Sequence, residues 1–456
     1  MLLRIPMHGL DLMLRGPVVW TFLRYCIPWT LAMLTMSSAA VVDGFFVGRY
    51  VGALPLAALN LVMPVYSFFF SISVMLAAGG AVRAGKYLGE GRTDAACAVF
   101  TKTLVTLGVI SSAVALATLV YSHELVLFLG AEGGLVQPAE AYLRGLMFFG
   151  PIIPAGLALS YFVRVDGRPS LASGGLMLSA VINILLDAAF IAGLGLGVEG
   201  AAYATGTAYV ISSGVLLAHF FGRSAKLRFT RKLGEWREMA LAAWNGSSEL
   251  INEASIGIVI MLINWILIER IGPYGVASFT IINYAAWFGS STCYAVSDSL
   301  TPLVSANFGA RNFARVRRFF ALALGIVFGI GLVLYAAFAL YPDLLIEIFL
   351  PGDAQVGEVT LDFMDWFKVA FLFSGPNMAL ASLFTAMHMA GASALVAILR
   401  GLIFPVAFLM LLPALFGNAG VYAAIPCAEL CTLAVGAVLF ALTRRHFRGP
   451  EEGGKA

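Results

Sequence analysis

Charge is scarce in this chain: Asp, Glu, Lys and Arg make up 12% of its 456 residues, against 60% that are hydrophobic. So few charges cannot cover a water-soluble surface, and a mean hydropathy of +0.91 points to a polytopic membrane protein. Cysteine is scarce too. Its five copies, Cys26, Cys97, Cys293, Cys427 and Cys431, are odd in number and lie within or at the ends of apolar runs, which fits neither a disulfide framework nor a zinc site. The five histidines are scattered with no HExxH, and no GxSxG elbow is present, so a membrane enzyme would lack its chemistry and none is expected. Gly80 to Lys86, GAVRAGK, has the spacing of a phosphate-binding loop. Tyr87 follows it instead of Ser or Thr, and it leaves an apolar helix rather than a strand, so no ATP site is expected there. A small-residue cleavage pattern after the first apolar run is also lacking, so no cleavable signal is expected.

What is present is a series of about twelve apolar segments of roughly bilayer length. They fall at about 18–47, 55–80, 98–121, 139–163, 171–193, 198–221, 244–269, 275–300, 316–341, 362–387, 393–415 and 419–443. The expected fold is an all-α integral membrane protein whose partner is the lipid bilayer. Basic residues follow the even-numbered segments: Arg83, Lys86, Arg92 and Lys102; Arg164 and Arg168; the run Arg223 to Arg237; Arg311, Arg315, Arg317 and Arg318; and Arg444, Arg445 and Arg448. All lie on one side. The opposite loops carry Glu124, Glu132, Asp343, Glu347, Asp353 and Glu358, so the basic side is read as cytoplasmic, with both termini inside and the chain in the inner or plasma membrane. The positive-inside bias accounts for the net charge of +3, and no nucleic-acid partner is implied.

An offset of 220 residues relates the halves: Gly52 to Gly272, Ala57 to Ala277, Gly89 in LGEGR to Gly309 in FGARN, and Gly200 to Gly420. Six spans is an even number, so two such repeats run in the same direction, related by a pseudo-two-fold axis along the membrane normal. The expected organisation is an amino-terminal lobe over 1–221, a cytoplasmic linker over 222–240 and a carboxy-terminal lobe over 241–456.

Two carboxylates interrupt the apolar runs. Asp43 lies in WTLAMLTMSSAAVVDGFFVG, and Asp187 follows Asn183 by one turn in MLSAVINILLDAAFIAG. An ionised carboxylate in hydrocarbon is costly, so it faces a cavity, binds a cation or takes a proton. At 1.5 Å per residue, Asn183 and Asp187 lie about 18 and 24 Å along the fifth span, and Thr205 about 10 Å below the outer surface. With Asp43, they can converge on a small outer-half site whose oxygen ligands suit H⁺ or Na⁺. Interhelical hydrogen bonding alone is the alternative role for the polar pair in span five.

Glu249 and Glu253 form a second acidic site at i and i+4 in WNGSSELINEAS, where like charges in a low dielectric favour a shared proton. Pro28 is expected to kink span one and act as a hinge. Arg24 and Arg400 are expected to reach the inner surface by snorkelling. Trp265, Tyr284, Trp287, Phe288 and Tyr294 are candidates for an aromatic pocket for organic cations, or for ordinary packing.

VDGFFVGRYVGALPLAALNLVMP, the LGEGR and FGARN segment ends and NILLDAAFIAGLGLGVEGAAYAT resemble the multidrug and toxic compound extrusion (MATE) transporters. The resemblance implies twelve helices in two six-helix lobes and export of cationic drugs or toxic organic compounds against H⁺ or Na⁺ by alternating access. It places the ion site at Asp43, Asn183, Asp187 and Thr205, with no metal beyond Na⁺ and no cofactor, and the kinking proline at Pro28. It matches Glu253 to an acidic residue of one branch, and Asn377 in SGPNMALAS stands where that branch has an aspartate. Asn377 joins Tyr284 and Trp287 as expected linings of the cargo cavity. A monomer is expected. The alternative within the superfamily is a flippase for a lipid-linked precursor, expected to need a more cationic centre.

Overall fold

The computed structural model describes residues 9–349 and 354–443. Among them there is no strand. Nine helices are long and apolar enough to cross a bilayer, and two further helix pairs, each bent by 48° at a short break, bring these to eleven. In chain order the membrane-length helices are α1 (Val18–Phe46), α2 (Ala53–Gly89), α3 (Thr93–Val120), the bent α4 (Val136–Phe148 and Ile152–Val165), α5 (Pro169–Asp187) and α6 (Gly197–Phe221). The second set is α7 (Arg237–Arg270), α8 (Pro273–Asp298), α9 (Phe313–Leu340), the bent α10 (Ala354–Phe367 and Ala370–Ala386), α11 (Ala390–Ile398, continued by Phe404–Phe416) and α12 (Asn418–Thr443).

The twelfth of these, α8, is not among the eleven apolar spans. At 26 residues it is long enough, and Asn283, Ser290, Ser291 and Thr292 break its apolar character. Several helices outrun their apolar cores. The second was expected to end near 80, yet α2 continues to Gly89 because Arg83, Lys86 and their neighbours are good helix formers that need no hydrocarbon. Asp353 and Arg444, Arg445 and Arg448, used above to orient the chain, lie outside the described residues.

The chain divides into two compact units, Met1–Gly246 and Ser247–Ala456, and the boundary falls within α7. The first packs around Leu59, Val62, Phe69, Tyr142, Leu143 and Leu146; the second around Ile263, Leu267, Ile282, Phe363, Phe371 and Leu409.

The repeat is written in the backbone. Gly52 (φ 122°) and Gly272 (φ 81°) stand directly before α2 and α8 in conformations that L side chains rarely adopt. Gly197 (φ 63°) and Gly417 (φ 60°) recur at the same offset at the turns into α6 and α12. So do Gly91 (φ 76°) and Arg311 (φ 57°), although the second is no longer glycine. Within the α5–α6 and α11–α12 hairpins, Gly200 and Gly420 each let one helix approach its partner: a Cβ would lie 3.3 Å from the Phe190 backbone in the first and 2.2 Å from the Leu412 carbonyl in the second.

Between α6 and α7, the segment 222–236 lies mostly without regular structure against the first unit. Asp166 accepts from the Lys226 amide at 3.0 Å and the Leu227 amide at 3.1 Å, and its Oδ2 lies 2.7 Å from His219 Nε2. The Thr230 amide donates to Thr101 Oγ1, and Lys102 Nζ donates to the Glu235 carbonyl at 2.7 Å. Arg83 and Tyr87 then bind Glu238 at the start of α7, Arg83 Nε donating at 2.8 Å. Two charges counted for orientation are therefore inside the protein: Lys102 and Arg164 are each 1% exposed. The Arg164 guanidinium lies 3.8 Å from the Trp29 ring centroid, a cation–π contact in which the aromatic face takes the place of water.

The start of α7 crosses α2 at two glycines. A Cβ on Gly79 would lie 1.9 Å from the Ala242 carbonyl oxygen, and one on Gly246 2.0 Å from that of Met75. Because both obstacles are backbone, Gly79→Leu should lower thermal stability in detergent by about 1–3 kcal/mol, the usual cost of overpacking. Gly108→Ala, where nothing lies within 4 Å, is the matched control and should not lower it; equal effects would show that the crossing is not tight.

Candidate functional site

Three helices bring the sequence-predicted residues of the first unit together. Asp43 sits on the last turn of α1, and Asn183 and Asp187 on the last two turns of α5. Thr205 lies on α6. Asn183 Nδ2 donates to Thr205 Oγ1 at 3.2 Å, joining α5 to α6. Asp43 is close enough to Asp187 for their charges to interact. The burial differs along the site: Asp187 is fully buried, Asn183 is 8% exposed, and Asp43 and Thr205 are half-buried.

Both carboxylate oxygens of Asp187, and Oδ1 of Asp43, are buried without a hydrogen-bond partner among the described residues. Buried polar atoms are nearly always satisfied, and for a carboxylate in hydrocarbon the lack is especially costly. The backbone is irregular at the same two places. α1 passes into a π-helical segment at Val47–Val51, one turn after Asp43, and α5 into another at Ala188–Gly193, immediately after Asp187. Such wide turns shift the register of side chains and frequently mark functional sites.

Sequence reasoning did not find Tyr142 beside this pair, nor the two further tyrosines of the same unit. Tyr142 on α4 lies within electrostatic reach of both aspartates, and the hydroxyls of Tyr66 on α2 and Tyr209 on α6 are hydrogen-bonded to each other. Each tyrosine sits in an apolar helix among many aromatics, so nothing in its local sequence distinguishes it from a packing residue.

In the second unit, Glu249 Oε2 accepts from Tyr294 Oη of α8 at 3.1 Å and lies within electrostatic reach of Asp298 and Glu253. Both glutamates are half-buried. Pro28 lies inside α1, where it leaves the Arg24 carbonyl without its usual i+4 donor. Trp287 is 52% exposed on α8, and the side chain of Tyr284 lies outside the described residues.

Two expectations are corrected. Asn377, expected to line a cargo cavity, is fully buried, and its Nδ2 donates to Glu429 Oε2 at 2.7 Å and to the Glu429 carbonyl at 2.8 Å. Its amide is engaged within the unit because a buried amide must find a partner. Arg400, expected to snorkel, instead places Nε 2.9 Å from Glu429 Oε1 and 3.1 Å from Oε2. A carboxylate of opposite charge within reach is the closer destination. Glu429 itself was not anticipated, although it is the lone charge in the run from Asn418 to Thr443 and so had the same signal as Asp43 and Asp187.

This geometry, twelve membrane-length helices in two units with intramembrane carboxylates, defines a polytopic helical membrane protein of the transporter class. The sequence profile of the MatE family matches residues 28–189 and again 250–411, two stretches of equal length whose ends lie 222 residues apart. The chain belongs to the MATE family of multidrug efflux transporters, and its fold is the two-lobe, twelve-helix fold of that family. It is 24% identical over 94% of its length, and 95% of the relative's, to the multidrug export protein MepA of Staphylococcus aureus. Among solved structures it resembles an outward-facing MATE multidrug resistance transporter of the MOP superfamily, with a TM-score of 0.89, 24% identity, and 97% and 99% of the two chains covered. A MOP-superfamily transporter from Pyrococcus furiosus, described as having a binding pocket of reversed polarity, matches with a TM-score of 0.89, 23% identity and the same coverage.

Unmet carboxylate oxygens imply a site that is destabilising in the absence of its ligand. Asp187→Asn in detergent at neutral pH, without Na⁺, should raise the unfolding temperature, whereas Asn183→Leu, which strips Thr205 of its partner, should lower it. A lower unfolding temperature for Asp187→Asn would mean that its charge is already compensated.

Proposed function

We propose that the chain is a secondary active antiporter that exports cationic drugs or toxic organic compounds in exchange for H⁺ or Na⁺. The observation that carries this reading is Asp187: fully buried, both oxygens without a partner, within reach of Asp43 and one turn from the Asn183–Thr205 bridge. A group so placed is stabilised by any proton or hard cation that arrives, and a titratable group held in that condition is a coupling device rather than a structural one.

Coupling follows from competition for the same charge. With the site open to the outside, H⁺ or Na⁺ neutralises Asp187 and Asp43, and the hold on a cationic cargo weakens. Neutralisation also removes the penalty for closing the apolar surroundings over the pair, and α1, which lacks a backbone hydrogen bond at Pro28, is the helix expected to bend. Inward release of the ion then restores the charge for the next cargo. Glu249 and Glu253 add acidic character in the second unit and favour a cation over the phosphate of a lipid-linked precursor. The protein is expected to work as a monomer in the plasma membrane with its basic loops in the cytoplasm.

The test is efflux of a fluorescent organic cation from proteoliposomes in which a pH gradient and a Na⁺ gradient are imposed one at a time. One of the two should drive efflux, and Asp187→Asn or Asp43→Asn should reduce the driven rate at least about tenfold with protein levels near normal, as expected when a charge used in the reaction is removed. Full gradient-driven efflux by either variant would refute the assignment. Efflux indifferent to both gradients would refute antiport itself.

A further inference from the structure

Of the intramembrane acids, Glu429 is handled differently from the rest. It carries the sole charge of α12, Arg400 carries the sole charge of α11, and the second segment of α10, which supplies Asn377, carries none. Both Glu429 oxygens are engaged: Oε1 by Arg400 Nε, Oε2 by Arg400 Nε and Asn377 Nδ2. The side chain is 9% exposed and that of Arg400 20%. Each residue lies about ten residues into its helix, or about 15 Å at 1.5 Å per residue, which is mid-bilayer from either side.

The backbone is built for this pairing. α11 widens into a π-helical turn at Leu399–Ile403, and Arg400 is in it. A wide turn re-aims the side chains it contains. Gly401 in the same turn admits the Ser255 side chain, which would lie 2.9 Å from a Cβ there. The π-helical turns of the first unit accompany acids with unmet oxygens, and this one accompanies a cation that meets an acid.

We propose that Arg400 is a tethered counter-cation that permanently fills the place an exchangeable ion would take on Glu429, so that the second unit contains a latent ion site and Glu429 takes no part in ion exchange. The proposal rests on the ion-coupling reading of Asp43 and Asp187. The repeat gives independent support. At offsets of 220 and 222 residues from Asp43 stand Ile263 and Trp265, and from Asp187 stand Ala407 and Leu409, so the second unit has no acid equivalent to either. Its charge at this depth comes from a different helix pair, with its cation supplied by the chain. The thiol of Cys293 on α8 is in electrostatic reach of the pair, and Cys427 and Cys431 flank Glu429 on α12.

The experiment is pH-difference infrared spectroscopy of the full-length protein in Na⁺-free lipid membranes, which counts buried carboxyl groups that take up a proton, alongside the proteoliposome efflux assay. Glu429→Gln should leave the wild-type set of titrating carboxyl bands unchanged. Arg400→Gln should add one band, and Glu429→Gln in the same chain should remove it. Loss of a band on Glu429→Gln alone, or no new band in Arg400→Gln, overturns the proposal. Breaking a buried ion pair can prevent folding, and replacing both partners is better tolerated. The double variant Arg400→Gln/Glu429→Gln therefore decides on its own: its bands and its coupling ion should match wild type, and the loss of a titrating band or of coupling refutes a non-exchanging Glu429. The ion reading fails separately, if Asp43→Asn and Asp187→Asn remove no band.

Discussion

A carboxylate carried into hydrocarbon must be met by a proton, a cation or a set of donors, and the polar architecture of this chain follows from how each one is met. Isolated, such a group costs several kcal/mol or more, comparable with the net stability of a domain, so no fold keeps one without a reason. Three helices end or break their regular winding at the residues concerned: α1 after Asp43, α5 after Asp187, α11 around Arg400. Local helix geometry is thus subordinate to placing charge. The 48° bends of α4 and α10 stand apart from these acids, and Pro64 and Pro426 lie within regular α-helix.

The two units meet the constraint in opposite ways. In the first, the acids stand near an amide, a hydroxyl and Tyr142, with oxygens left over, which under the ion-coupling reading leaves the charge to be met by something that arrives and departs. In the second, Glu429 is met from within by a guanidinium and an amide, which leaves nothing over. Pairing with well-placed hydrogen bonds limits the desolvation cost, and fixed geometry is what makes such a pair a structural rather than an exchangeable element. Arg164 answers the same constraint differently again, through the faces of Trp29 and Tyr161.

The class, the twelve helices and the Asn183–Thr205 pairing were legible because they depend on composition and on helix periodicity, both local properties. The repeat was only faintly legible, and the structure shows why. What the halves share is a set of backbone conformations, and glycine reports these only where no other residue has taken its place: Gly52 and Gly272 agree, whereas Gly91 is answered by Arg311, which adopts φ 57° without being glycine. The fate of Arg400 was not legible, since snorkelling and pairing start from the same residue at the same depth and differ only in whether a partner helix brings an acid. Tyr142 was illegible for a related reason, its nearness to Asp43 and Asp187 being set by helices distant in sequence.

A repeat protein that duplicated its charge as faithfully as its backbone would carry two equivalent ion sites, and two sites would draw two ions for each cycle. Here the backbone is duplicated and the charge is not. The aspartates have no counterparts at the repeat offset; of the acids in the second unit, Glu249 and Glu253 stand on α7, and Glu429 has its cation supplied by its own chain. Once Arg400 has neutralised Glu429, the neighbouring helices need only be apolar and close-fitting, while under the ion-coupling reading those around Asp187 must leave its two oxygens open to the ion that meets them.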